Sequence, residues 1–300
     1  QYINKNIVSR YDVTMVMDIY DDFIAAIRKK YEWGYAVPYH IAASNVCHPN
    51  YATYLLNRQT LTMKDIEKII QSIPEEYKVL YDLKLIERLY TQYQSKTIDD
   101  RAAVARIAAM IHGRKLLLLG PGNTLATEYD RILEFIEREK PLVISVNFVD
   151  ARYRMDACFV SNHKRMDAIR QEIRLLGGIP LILTSNIPWE GEEDGEENRL
   201  FVDYDRYTND DERVSDNAGL MLLHLLRECG AKEVLLAGFD GFHYRHNGNY
   251  YSSEWSLNRR EEKEEVEDKQ NRIRRQLRLL SASMRIAFLT PSVYEQDGDL

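Results

Sequence analysis

The chain has 300 residues, of which 45% are hydrophobic and 29% charged, the composition of an ordinary globular protein with room for two domains. It contains no apolar run of the roughly eighteen residues that a transmembrane helix needs, and the opening QYINKNIVSR lacks the apolar core and cleavage site of a signal peptide. A formal charge of −7 argues against general affinity for nucleic acid, which requires Lys and Arg set against many phosphates.

Up to about residue 111 the apolar spacing is helical. Ile19, Phe23 and Ile27 share one face, then Ile66, Ile69, Ile70 and Ile73, then Leu83, Ile86 and Leu89. Between the first two helices the aromatic segment YEWGYAVPYHIAASNVCHPNYATYLL is expected to be irregular, punctuated by Pro38 and Pro49. Gln94 to Asp100 is polar and reads as a hinge before a helix from Arg101 to Ile111. Gln1 is not an initiator, so an upstream portion is expected to precede this chain.

From Lys115 the rhythm changes to short apolar strands alternating with helices, the pattern of a mostly parallel sheet covered on both faces. The expected strands are LLLLG, LVISVN (Leu142 to Asn147), ACFVSN (Ala157 to Asn162), IPLILTS (Ile179 to Ser185), EVLLAGF (Glu233 to Phe239) and RIAFLT (Arg285 to Thr290). Pro188 to Asn198, dense in carboxylates, reads as a solvated loop, and Arg259 to Met284 as a long helix. In that helix Val266, Ile273, Leu277, Leu280 and Met284 form a stripe suited to packing on the sheet. The expected fold class is α/β: a helical region over residues 1–111, then a Rossmann-like domain over 112–300. Cys47, Cys158 and Cys229 fit no zinc spacing and read as buried thiols of a reducing compartment, so a cytoplasmic location is expected.

In an open parallel sheet, ligands bind beyond the carboxyl ends of the strands. The residues there are Gly120, Gly122, Asn123 and Thr124; Asn147; Asn162, His163, Lys164 and Arg165; and Asp240, Gly241, His243 and Tyr244. Ser215, Asp216 and Asn217 open the helix leading into EVLLAGF. A strand that breaks into Gly120, Pro121 and Gly122 before a helix is expected to leave free N–H groups that favour an anion. GPGNT lacks the lysine of the P-loop and the third glycine of the dinucleotide fingerprint, which disfavours P-loop ATP hydrolysis and NAD. Asparagines suit a base edge, ribose or sugar. Each residue also has a structural alternative: Thr124 and Ser215 as helix caps, Gly122 as relief of a tight turn. Asp240 with His243 and His246 does not make a selective metal set, and no metal ligand is assigned. Tyr244, Tyr250 and Tyr251 could hold a phosphate, stack on a base, or pack on one another.

Two resemblances follow from these residues. The segment from YEWGYAVPYH to about residue 95, with its His48, Pro49, Tyr51 and Ala52 core, resembles the helical region after the barrel in proteins related to 4-hydroxy-2-oxovalerate aldolase and HMG-CoA lyase. Those enzymes bind a divalent metal through an aspartate and an HxH pair; no such pair occurs here, so no lyase residue is carried over. From Lys115 to Tyr294 the chain is similar to bacterial sialyltransferases that use CMP-sialic acid and to archaeal 6-hydroxymethylpterin diphosphokinases. The matching pieces are GPGNTL, SVNF, FVSN, SDNAGLMLLHLLRECGAKEVLLAGFDGF and FLTPSVY.

The sialyltransferase resemblance implies a donor site of Gly120, Gly122, Asn123, Asn147 and Asn162, with the residues that open the SDNAG helix, Ser215 and Asn217 among them, near ribose and phosphate; Thr124 and Asp240 join the expected binding set as strand-end residues. It implies Tyr244, Tyr250 or Tyr251 against the leaving phosphate, and of these Tyr250 or Tyr251 is assigned that role. The family's histidine base lies further along, but no histidine follows His246 here, which leaves His243 for that role. Three functions stay open. The first is transfer from a nucleotide-activated sugar in surface-polysaccharide synthesis. The second is a non-catalytic assembly or nucleotide-sensing module of an aldolase, docked through the helical region to a partner enzyme or a second copy. The third is diphosphoryl transfer to a pterin, which needs Mg²⁺ on Asp240 with Asp216.

Overall fold

Every residue of LLLL at 116–119 is apolar because a central parallel strand has two faces to bury: Leu116 and Leu118 point into one core, Leu117 and Leu119 into the other. The computed structural model describes residues 37–58, 60–175, 178–188, 198–211, 213–242 and 263–295. Among them lie eleven α-helices and a seven-stranded sheet. The strands are β1 (Leu116–Leu119), β2 (Leu142–Val146), β3 (Ala157–Val160), β4 (Leu181–Thr184), β5 (Arg199–Val202), β6 (Glu233–Ala237) and β7 (Arg285–Phe288). All neighbours pair in parallel, in the order β5-β4-β3-β2-β1-β6-β7. The chain therefore builds outward from β1 to β5, then crosses back to lay β6 on the opposite side of β1. The carboxyl ends of β1 and β6 form the switch point, where crossovers diverge and leave a crevice.

Ahead of the sheet come α1 (Val37–Ser44), α2 (Pro49–Arg58), α3 (Met63–Gln71), α4 (Leu83–Gln94) and α5 (Arg101–Ile111). The segment expected to be irregular thus holds α1 and α2. Pro49 is the first residue of α2 and Pro38 the second of α1, where a missing N–H costs the helix nothing. Tyr51, Leu55, Ile66, Ile69, Ile70 and Ile86 make a separate core for α2 to α4. Thr62 and Asp65 close a reciprocal capping box on α3. The expected helix through Ile19, Phe23 and Ile27 lies outside the described residues.

One sheet face is covered by α5, α10 (Ala218–Glu228) and α11 (Lys263–Ser281), the other by α7 (Tyr129–Glu139) and α8 (His163–Leu175). The five stripe residues of the long helix are all buried. At about 1.5–3 kcal/mol for each fully buried large aliphatic side chain, these two layers are the main stabilising contribution. Two short helices, α6 (Thr124–Thr127) and α9 (Tyr204–Tyr207), complete the set. The strand β5 follows the acidic run closely and alternates half-buried and buried residues as an edge strand does; it was not expected. Most of the acidic loop, residues 189–197, lies outside the described residues. Cys47 and Cys158 are buried thiols and Cys229 is half-buried. No helix among the described residues is long and apolar enough to cross a membrane.

The polar link after α4 is pinned rather than hinge-like. Ile98 N–H donates to Asp203 Oδ2 at 2.9 Å, Asn186 Nδ2 to Gln94 Oε1 at 3.2 Å, and Asp203 N–H to Asp100 Oδ2 at 3.0 Å. Ser95 and Ser185 add hydroxyl bonds to Asp205 and to the Lys96 carbonyl. Across the same seam Tyr90 donates to Asp216 Oδ2 at 2.7 Å, and His163 Nδ1 lies 3.0 Å from Asp65 Oδ2. These bonds hold α2 to α4 over the carboxyl edge of the sheet.

Candidate functional site

Under that roof lies a cavity of about 920 Å³, in the range of small-molecule sites. Its floor is the switch point: Gly120 and Gly122 after β1, Asn147 after β2, Asn162 after β3 and Gly238 after β6. One wall is the start of α10 with Asp216 and Asn217, another the side of α11 with Asp268 and Lys269. Tyr54, Asn57, Arg58, Thr60 and Glu87 reach in from the helical region. Of the residues expected at the site, Gly120, Gly122, Asn147, Asn162, Arg165, Asp216, Asn217, Asp240 and Gly241 line this cavity, whereas Asn123, Thr124, His163, Lys164 and Ser215 do not. His243, Tyr244, Tyr250 and Tyr251 lie outside the described residues.

The glycine turn behaves differently from expectation. Gly120 N–H donates to the Ala237 carbonyl at 2.8 Å and Gly122 N–H to the Gly238 carbonyl at 2.9 Å. Thr124 N–H donates to Asp240 Oδ2 at 2.8 Å and the Thr124 hydroxyl donates to Asp240 Oδ1. The Thr290 hydroxyl, 3.0 Å from that of Thr124, accepts from Gly238 N–H at 3.0 Å. The N–H groups of Gly120, Gly122 and Thr124 are therefore taken by the β6 loop, and the Asp240 carboxylate already sits at the start of α6, where a bound anion was expected. The glycines serve a close approach of two loops: a Cβ on Gly122 would meet the Gly238 oxygen at 2.5 Å and Asp240 Cγ at 2.6 Å. Thr124 is not a cap by its side chain, and the cap of α10 is Asn217 rather than Ser215.

The asparagines divide their two ends. Asn147 Oδ1 accepts from Ser161 N–H at 3.0 Å, Asn162 Oδ1 from Arg165 N–H at 2.8 Å, and Asn217 Oδ1 from Leu220 N–H at 3.1 Å. The last two bonds satisfy the first turns of α8 and α10. Asn147 has φ +60°, a left-handed conformation that asparagine tolerates better than most residues. With Oδ1 engaged, each residue retains only its Nδ2 amide, a donor of two hydrogens. Among the described residues none of the three amides has a protein partner, and all three side chains belong to the cavity lining. These three asparagines thus offer donors, where the sequence pointed to groups of both kinds.

Arg58, at the end of α2, escaped the sequence reading, as did Tyr54 and Asn57. Their spacing i, i+3 and i+4 signals one helix face, but only once Pro49 is read as a helix start. The Arg58 guanidinium lies 5.0 Å from the Tyr54 ring centroid and 4.7 Å from that of Tyr90, and its Nε donates to the Tyr54 hydroxyl at 3.1 Å. Burial works against its charge; the neighbouring Tyr54 oxygen and the field of Asp216 outweigh burial and keep it protonated. Arg213 in the same cavity is paired with Asp268 at 2.9 Å. No histidine among the described residues lines the cavity, and no cluster of three or more His, Cys, Asp or Glu with metal-binding geometry occurs among them. Compared with family models, curated proteins and solved structures, the chain has no match.

Proposed function

We propose that this cavity binds a nucleotide or nucleotide-activated sugar, and that the chain transfers the activated group to an acceptor hydroxyl in surface-polysaccharide synthesis. The observation that supports it most is the set of three asparagine amides at the switch point, each with its oxygen engaged and its donor end left for ligand oxygens. Phosphoryl, carbonyl and ribose oxygens are the acceptors that such a set fits. In this reading Asn147, Asn162 and Asn217 orient the donor, His243 takes the acceptor proton and Tyr250 or Tyr251 steadies the leaving phosphate. A cytoplasmic location and an aldolase barrel upstream belong to the same proposal.

A second reading, an assembly or nucleotide-sensing module without chemistry, is favoured by the Asp240 carboxylate at the start of α6 and by the sequence having no histidine after His246. It would join the aldolase to a partner enzyme or to a second copy through the helical region. Diphosphoryl transfer has less support, because among the described residues Asp240 belongs to no group of three or more ligands able to hold Mg²⁺.

A thermal-shift screen with CMP, CDP, UDP, GDP, ATP and NAD, each with and without Mg²⁺, tests the proposal, since a ligand specific to the folded state at a hundredfold excess over Kd adds about 2.7 kcal/mol. Stabilisation by CMP or CDP without metal is expected. No shift with any nucleotide would overturn the transfer and nucleotide-sensing readings and leave an assembly module without a nucleotide. Given binding, His243→Ala should abolish transfer and leave the shift intact; transfer at the wild-type rate would remove His243 from the mechanism.

A further inference from the structure

We propose that Arg58 is the residue that receives the anionic group of the ligand, so that a phosphoryl or carboxylate is held from the helical region and not by the glycine turn. The inference rests on the reading of the cavity as a ligand site. A half-buried guanidinium usually has a carboxylate partner, because burial of an unpaired charge is costly. Arg58 has none in ion-pair contact among the described residues. Asp216, whose field reaches it, accepts instead from the Tyr90 hydroxyl. Arg58 is nevertheless held in place: two tyrosine rings flank it, and the Tyr54 hydroxyl accepts from Nε and Nη2. That leaves Nη1 without an acceptor among the described residues, in a side chain that lines the same cavity as the three asparagines.

The competing cations and anion sites are already engaged. Arg213 is tied to Asp268, Lys269 lies 3.7 Å from the Phe242 ring centroid, and Arg165, the remaining cation of the lining, is partnered as well. The start of α6 is filled by Asp240. A planar guanidinium presents two parallel donors to one phosphoryl or carboxylate, a geometry that an ammonium cannot reproduce. An anion arriving there supplies the ion-pair contact that the arginine lacks, and the amide donors of the floor remain for the rest of the ligand. The helical region is then part of the binding site, and its removal or displacement would abolish anion binding even with the sheet intact.

The test is calorimetric titration of the whole chain with sodium pyrophosphate and with sodium malonate at matched ionic strength, and with CMP and uncharged cytidine, using wild type, Arg58→Met, Arg58→Lys and Tyr54→Phe. Wild type is expected to bind pyrophosphate or malonate, and the stronger of the two identifies phosphoryl or carboxylate as the group received. Arg58→Met should weaken that anion and CMP at least tenfold while leaving cytidine unchanged. Arg58→Lys should recover part of the loss, and Tyr54→Phe, which only loosens the arginine, should lose less than Arg58→Met. If Arg58→Met does not fold, judged by its thermal transition without ligand, the Lys and Phe variants carry the comparison. Anion binding unchanged in these variants, or absent from wild type, overturns the proposal. CMP binding that ignores position 58 would retain the nucleotide reading and discard Arg58. Pyrophosphate binding through Arg58 with no added affinity for CMP would do the reverse.

Discussion

Asn147 and Asn162 each combine a structural acceptor with a free donor in one side chain, and an isosteric change can separate the two roles. Asn147→Asp and Asn162→Asp preserve the oxygen that accepts from Ser161 or Arg165 N–H but replace the cavity-facing amide by a carboxylate oxygen. Each is expected to leave the melting temperature nearly unchanged and to cut affinity for a phosphorylated ligand at least tenfold, about 1.4 kcal/mol. Titration calorimetry beside thermal unfolding checks this; an equal loss of both would assign these residues to the fold alone. Asn147→Ala, by contrast, should lower stability, since alanine in a left-handed conformation costs about 1–2 kcal/mol. Gly238 carries the opposite lesson. With φ +72° and a virtual Cβ 2.0 Å from the Gly120 oxygen, Gly238→Ala should cost more than the backbone term alone and drive the two loops apart. A denaturant midpoint near wild type would contradict that. The sequence made these loops visible as glycines and asparagines, but it could not show that the β6 loop itself takes the N–H groups. That depends on a pairing between residues 116 positions apart, Thr124 and Asp240.

Elements as units show why some parts were legible and others not. Six strands and the helices over Met63–Gln71, Leu83–Gln94 and Arg101–Ile111 announced themselves through apolar period and length. The helices α1 and α2 did not, because aromatic residues and two prolines obscured their period, and with α2 went Arg58. The strand β5 did not either, since an edge strand of four residues has one buried face and too few residues to show alternation. The joint between α3 and α8 is also invisible in sequence, yet it sets a pH dependence. The hydrogen bond to Asp65 holds the His163 imidazole above its ordinary 6.5, so its stabilising contribution is full below that value and is lost as pH rises through the elevated one. Burial would raise the Asp65 carboxyl, but bonds from His163, Tyr93 and Thr62 outweigh it and bring it down to about 2. That contribution is present above 3.8 and disappears as pH falls towards 2. The docking of α3 on α8 is accordingly firmest between these limits. Wild type should lose melting temperature as pH rises above 6.5, and His163→Gln should show a flatter curve; parallel curves would remove this joint as the cause.

At the scale of the whole molecule, a parallel sheet with its switch point between β1 and β6 meets a helical layer that closes the crevice from above. The order of helices then strands was legible from the change of period at Lys115. The way the two parts share a cavity was not, because it depends on contacts such as Tyr90 with Asp216 that span 126 residues. Those contacts make the cavity, and with it the proposed ligand site, a joint product of both parts, with donors from the sheet edge and a cation from the roof. The most direct measurement is a crystal structure of the chain grown with CDP. The phosphates are expected in the cavity, against Arg58 and the amides of Asn147, Asn162 or Asn217, with Asp240 still bonded to Thr124. Phosphates on the backbone N–H groups of residues 120–124 with Asp240 displaced, or a nucleotide bound outside the cavity, would contradict the account.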